Sequence, residues 1–240
     1  MAIKNITYKD TVFVISYEIL NRDKTEDIIF LHGWGSNKEL MKRAFGKYFS
    51  NFRHIYIDMP GFGKSSNDMI LDTFAYKELM DKFLKSISSH NYVVVGHSFG
   101  GKVAVLLNPK KLILLSSAGI RIKKPLKVRA KIILFKSVKF IGFGKLYKFF
   151  ISKDVKGMSQ NMYDTFKNVV DEDFSDYFKN FLNEALILWG KDDKATPLSS
   201  GIKIKSLIKK SKFYQFEGDH YFFLKKAKEV EQKITNFIEV

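Results

Sequence analysis

An α/β fold, with a mostly parallel sheet and helices on both faces, is what this 240-residue sequence predicts. Three observations lead there. Short runs of β-favouring apolar residues alternate with helical periodicity along most of the chain. The stretch Tyr92-Val93-Val94-Val95-Gly96-His97-Ser98-Phe99-Gly100-Gly101 packs a buried strand, a sharp turn and a helix start into one segment. The alternation breaks after Gly119 and resumes near Ala185. Strands joined through helices at this spacing run parallel, because a parallel pair needs a crossover connection.

The elements follow in order. Ile3 to Tyr8 and Val12 to Ile19 read as a hairpin with Lys9-Asp10 as its turn. Asp27 to Leu31 is a short strand that runs into His32-Gly33-Trp34-Gly35. A helix over about Lys38 to Phe49 leads to a strand from His54 to Asp58 and a turn-rich loop, Asp58 to Ser65. Asp72 is a good N-cap for a helix to about Ser88, with Phe74, Leu79, Phe83, Leu84 and Ile87 on its inner face. The Ser98 strand and helix come next, then a strand from Leu112 to Ser116. Residues 120–181 carry helical periodicity, many aromatics and no clear strand. No Gly/Ser/Pro-rich linker flanks them, so they read as an insertion into a core made of residues 1–119 and 182–240. The core resumes with a strand from Ala185 to Leu188, a helix near Leu198 to Ile208, a strand from Lys212 to Phe216 and a closing helix from Ala227 to Ile238.

Composition excludes several classes. There is no cysteine, hence no disulfide, thiol nucleophile or cysteine-bound metal. No apolar run approaches the ~18 residues of a membrane span. The start Met1-Ala2-Ile3-Lys4 lacks the pattern of a signal peptide, and a cytoplasmic protein is expected. The net charge of +16 comes from lysine spread over most of the chain: of 41 basic residues only Arg22, Arg43, Arg53, Arg121 and Arg129 are arginine. Without a nucleic-acid motif, that excess reads as compositional bias and not as a nucleic-acid interface.

The chemistry centres on Ser98. In Gly96-His97-Ser98-Phe99-Gly100 a sharp strand-to-helix turn holds the hydroxyl at the tip of the sheet, and the glycines relieve the crowding. A serine hydroxyl needs a base, and the base needs an orienting group. His220 follows a late strand in a Gly-containing loop, and Asp192 and Asp193 follow another. At the carboxyl edge of a parallel sheet such loops converge. Of the other histidines, His54 and His90 read as structural or solvated, His97 points to the other face of the sheet, and His32 braces a loop. The amides of Phe99 and Trp34 are the natural oxyanion donors, and His32 and Gly33 lie where substrate would bind. Local reasoning does not separate Asp192 from Asp193. No metal or organic cofactor is expected.

Together His32-Gly33-Trp34-Gly35, Asp58 to Ser65, Gly96 to Gly101, Trp189-Gly190 through Pro197, and Gly218-Asp219-His220 resemble the α/β-hydrolase superfamily. The resemblance implies an α/β-hydrolase fold with an eight-stranded, mainly parallel sheet and a helical cap inserted between the sixth and seventh strands. It also implies that the acid is Asp193, which stands four residues before Pro197. Within the superfamily, His-Gly-Trp-Gly with Gly-His-Ser-x-Gly-Gly is most similar to small serine carboxylesterases, among them the group that demethylates pimeloyl carrier-protein methyl esters. The expected activity is hydrolysis of a small or medium acyl ester through an acyl-enzyme. The alternatives are C–C bond hydrolysis of a 2-hydroxy-6-oxo-dienoate type substrate, or a non-catalytic ligand-binding protein on the same fold. The helix after Ser98 looks about a turn shorter than in relatives, and Asp219 stands where many carry a small residue.

The insertion has a message of its own. From Arg121 through Lys153 there are eleven basic residues and no acidic one, interleaved with Leu, Ile, Val and Phe. Such a segment suits a solvated lysine face balanced by Asp171, Glu172, Asp173 and Asp176. It also suits an acidic acyl carrier protein, and less well a membrane surface.

Overall fold

The computed structural model describes residues 1–89, 93–121 and 158–239. Eight strands form one sheet: β1 (Ala2–Tyr8), β2 (Thr11–Leu20), β3 (Asp27–Leu31), β4 (Arg53–Ile57), β5 (Val93–His97), β6 (Lys111–Leu115), β7 (Glu184–Gly190) and β8 (Ser211–Phe216). Their order across the sheet is β1-β2-β4-β3-β5-β6-β7-β8. The β1–β2 and β2–β4 pairs are antiparallel, and β4–β3–β5–β6–β7–β8 are parallel throughout. The hairpin turn is the one the sequence predicts. Lys9 and Asp10 both adopt positive φ, 47° and 61°, which matches the right-handed twist of the two strands.

The central strands are covered on both faces, so they read as continuous apolar runs. Every residue of β3, β5 and β6 is buried. Alternate residues feed two cores. One holds Ile29, Val94 and Leu114, packed against α2 (Thr73–Ser86), α3 (Phe99–Leu106) and α6 (Leu198–Leu207). The other holds Phe30, Val95 and Leu115, packed against α1 (Lys38–Phe45), α7 (Phe222–Lys225) and α8 (Ala227–Ile238). Between β6 and β7 lie α4 (Gln160–Val170) and α5 (Ser175–Lys179), helices within the predicted insertion. The basic segment that begins at Arg121 falls, beyond that residue, outside the described residues, and so does His90. Among the described residues no helix is long and apolar enough to cross a membrane.

Two local expectations need correction. The first helix ends at Phe45 and not at Phe49, because the chain turns at Gly46, whose N–H closes on Lys42 O. Phe49 and Phe52 are still buried, but from irregular backbone. In α2 the Asp72 carboxylate caps the Ala75 amide as predicted, but Phe74 is 43% exposed. The buried stripe runs through Ala75, Tyr76, Leu79, Met80, Phe83 and Leu84, and Phe74 packs edge-on against Tyr177 of α5.

Candidate active site

Ser98 sits between β5 and α3 at φ 51°, ψ −115°, a backbone conformation that costs a non-glycine residue about 1–3 kcal/mol. Its surroundings hold it there. The Ser98 N–H donates to Leu115 O (3.1 Å), and Ser98 O accepts from Gly101 N and Ala118 N (both 3.0 Å). The turn is too tight for side chains on its flanks. A Cβ on residue 96 would stand 2.5 Å from Gly100 O, and one on residue 100 would stand 2.5 Å from Leu31 O. Both obstacles are backbone, so neither can give way cheaply.

Asp193 and His220 arrive from loops after β7 and β8. His220 Nδ1 lies 2.7 Å from Asp193 Oδ2. The carboxylate is fully buried and the imidazole partly exposed. Asp193 Oδ1 accepts from the amides of Ala195 (2.8 Å) and Thr196 (2.9 Å). The Thr196 hydroxyl stands 2.9 Å from Asp193 Oδ2 and 3.0 Å from Ser116 O. Burial pushes the Asp193 carboxyl up. The hydrogen bond and charge of His220, the Thr196 amide and the Ser116 hydroxyl outweigh it and hold the group at about 2. Asp192 is exposed, and its amide is used in pairing to Gly218 O (2.9 Å). The pair that local reasoning left open is therefore separated by burial and by direct contact with His220. Thr196 is a site residue that the sequence reading missed. Its signal was an aspartate followed three residues later by threonine, a spacing that lets the side chain gather its own turn's amides.

The loop after β3 faces the same point. A Cβ on Gly33 would lie 3.1 Å from Ser98 Cβ and 2.9 Å from His97 Nδ1, so only glycine lets this loop approach so closely. Among the described residues neither the Trp34 amide nor the Phe99 amide donates to an acceptor. Phe99 is the first residue of α3, where amides have no partner within the helix. The Ser98 hydroxyl likewise makes no hydrogen bond with a described residue. Serine–histidine contacts are commonly loose without substrate and tighten with it. Ser98 and His220 are nonetheless linked through His97, whose ring packs on His220 with centroids 4.6 Å apart.

His32 takes the loop-bracing role read for it from the sequence. Its ring is fully buried, with Nδ1 2.8 Å from Gly33 O and Nε2 accepting from Met59 N (3.0 Å). Both nitrogens are spent on backbone, so the ring braces two loops. Burial, partly opposed by the Gly33 carbonyl and Asp58, lowers its pKa to about 4 and keeps it neutral. Below it, Asp58 accepts from Lys38 N (2.7 Å), Lys38 Nζ (2.6 Å) and Lys64 N (3.0 Å). That buried pair ties the start of α1 to the Asp58 loop. The aromatic ring of Trp34 packs among Phe62, Phe99 and Phe166 of α4, with centroids 4.8, 5.5 and 5.3 Å away. Among the described residues no cluster of His, Asp or Glu is placed to hold a metal ion.

The fold is of the α/β-hydrolase class: a mostly parallel eight-stranded sheet with a serine on the sharp turn after the central β5. The sequence model of the alpha/beta hydrolase family matches residues 28–232, and the chain belongs to that family. It is 31% identical, over 32% of its length, to a 2-succinyl-6-hydroxy-2,4-cyclohexadiene-1-carboxylate synthase of Klebsiella pneumoniae, of which it spans 31%. The chain thus spans about a third of the length of the first curated relatives it matches. It is 28% identical to the pimeloyl-[acyl-carrier protein] methyl ester esterase of Proteus mirabilis, over 65% of this chain and 52% of that one. The esterase EaEST from Exiguobacterium antarcticum superposes with a TM-score of 0.77 over 98% of this chain and 99% of its own, at 22% identity. That likeness is one of fold.

Proposed function

We propose that the protein is a serine carboxylesterase with Ser98, His220 and Asp193 as its triad. The observation that carries this reading is the 2.7 Å contact between His220 Nδ1 and Asp193 Oδ2, at the same sheet edge as a strained Ser98. A carboxylate facing Nδ1 keeps the proton on that nitrogen, which leaves Nε2 as the free base. Ser98 Oγ attacks the ester carbonyl as Nε2 takes its proton. The amides of Phe99 and Trp34 receive the oxyanion, where each such donor is worth on the order of 10²–10³ in rate. His220 then protonates the departing alcohol. A water, deprotonated by the same nitrogen, releases the acid and restores Ser98. The aromatic wall of Trp34, Phe62, Phe99 and Phe166 suits an apolar acyl group. The Proteus relative is named for a methyl ester carried on an acyl carrier protein, which makes an acidic carrier-protein ester the second substrate to try. The reaction as written needs no membrane and fits a cytoplasmic enzyme.

The test is hydrolysis of p-nitrophenyl esters from acetate to palmitate by wild type and Ser98→Ala side by side. Activity that peaks at short chains and falls by several powers of ten in the variant is the expected result. Equal activity in the two proteins would refute the reading. A dienoate cleaved faster than any ester would replace it with C–C bond hydrolysis.

A further inference from the structure

His97, the residue before Ser98, takes no part in the reaction just described, yet it touches three of the four segments that do, those of Ser98, Gly33–Trp34 and His220. It is the last residue of β5, is fully buried, and projects to the face opposite α3, against Phe223 (4.9 Å between centroids) and Tyr221 (5.3 Å). Its Nε2 lies 3.1 Å from the backbone carbonyl of His220. Its ring packs on the His220 ring at 4.6 Å and 49°. On its other side Nδ1 faces Gly33, close enough that a Cβ there would sit 2.9 Å away. Nδ1 has no hydrogen-bond partner among the described residues.

The chemistry of these contacts fixes the state of the ring. A carbonyl oxygen only accepts, so Nε2 must carry the hydrogen. A neutral ring then has a bare Nδ1, which matches the lack of an acceptor opposite it. A charged ring would place a second N–H against the Gly33 backbone with nothing to receive it, at a substantial desolvation penalty. Burial, and next the neighbouring His220, hold the His97 pKa well below its ordinary value, in agreement with a neutral ring.

We infer that His97 is a positioning residue, whose Nε2–H to the His220 carbonyl fixes the backbone of the base relative to the adjacent Ser98. The inference rests on the triad reading above. It accounts for how a loop after β8, the edge strand, is registered on a turn after β5, three strands in. Asp193 sets the orientation of the His220 imidazole from one side, and His97 sets the height of its backbone from beneath. A base displaced by even an ångström loses much of its effect on the nucleophile.

The experiment pairs two variants with one measurement on wild type. His97→Leu removes the donor and keeps bulk; His97→Gln keeps an N–H near the position of Nε2. With p-nitrophenyl acetate, His97→Leu is expected to lower kcat about 10- to 100-fold with KM within about threefold, as for loss of one buried hydrogen bond at a catalytic group. His97→Gln is expected within about fivefold of wild type. Nitrogen-15 NMR of the imidazoles in wild type should show His97 as the Nε2–H tautomer, a result that does not depend on any variant folding. A kcat for folded His97→Leu within twofold of wild type overturns the inference. A His97→Gln as slow as His97→Leu, or an Nδ1–H tautomer, does the same. Ser98→Ala in the same assay separates the two ideas: if it stays active, the triad reading fails, while the tautomer still reports on His97.

Discussion

Replacing Lys102 with methionine removes a buried charge from the helix that begins beside Ser98. Lys102 lies in α3, and its side chain is 3% exposed. Its Nζ stands 2.7 Å from Glu172 Oε2 and 2.5 Å from Val169 O, at the end of α4. The Thr73 hydroxyl donates to the same carboxylate oxygen, and the Phe99 and Phe174 rings flank the ammonium at 5.4 and 5.0 Å. Burial lowers the lysine pKa, and Glu172 opposes that shift. Breaking a buried pair from one side costs about 3–5 kcal/mol, because the other charge is left behind. Glu172 remains 21% exposed and keeps its Thr73 partner, so about 2–3 kcal/mol is the expected loss for Lys102→Met. Lys102→Met with Glu172→Gln removes both charges and should lose less than the sum of the single changes, with a coupling of about 2 kcal/mol. An exposed pair such as Lys226–Glu229, one turn apart on the surface, would show far weaker coupling in the same cycle. Urea unfolding of the four proteins at one pH and salt, compared at equal slope, gives the numbers. A single-variant loss below about 0.5 kcal/mol, or strict additivity in the double variant, would refute the view that this pair fastens α4 to α3.

Asp193→Ala should lower esterase kcat by several powers of ten, and Asp192→Ala should be nearly silent; the reverse order would assign the acid to the wrong residue. The Asp193 carboxyl is held at about 2 against an ordinary 3.8, so its contribution to stability is present above pH 3.8 and is lost as pH falls towards 2. The gap corresponds to about 2.5 kcal/mol, and the stability of wild type relative to Asp193→Asn should shrink by about that amount between pH 5 and 2, as followed by urea unfolding. Gly100→Ala should lose about 1–3 kcal/mol or more, since its Cβ would meet Leu31 O at 2.5 Å; an unchanged urea midpoint would mean that the turn is looser than this contact requires.

Much of this was legible in the sequence because it is local. Alternation of apolar residues gave the strands, and Lys9-Asp10 gave the hairpin turn. The closing helix runs from Ala227 to Ile238 as read. The strand–Gly-x-Ser–helix stretch revealed Ser98 because its strain must be met by small residues within a few positions. What sequence did not reveal is long-range pairing of charge. Lys102 sits in an apolar helical run and is balanced by Glu172, seventy residues away, an acid that the sequence assigns to the lysines of the insertion. Lys38, which the sequence marks only as the start of a helix, is likewise buried on Asp58. Periodicity tells which face of an element is covered, not which polar group on the covering element meets it. His32 was legible as a loop brace, but not the partners it would meet: its two ring nitrogens are taken by Met59 and Gly33, one of them 27 residues away.

The site is held unevenly, and that has consequences for what can vary. Beneath Ser98, obstruction by backbone at Gly96 and Gly100 admits almost no change. On the Asp193 side, two amides and a hydroxyl fix the carboxylate. On the loop side, the His32 ring and the Lys38–Asp58 pair lock Gly33 and Trp34 in register. The side facing α4 is different. There the contacts are Phe166 on Trp34, Met162 against Gly61, polar bonds from Asn161, Thr165 and Asn168 to the chain at 67–71, and the Lys102–Glu172 pair. These are side-chain contacts on a helix that carries none of the reacting groups. Exchange of Phe166 or Met162 can therefore alter the packing around Trp34 and Gly61 without touching Ser98, Asp193 or His220. Rigidity lies where geometry sets the rate, and the adjustable wall lies where the acyl group would meet the protein.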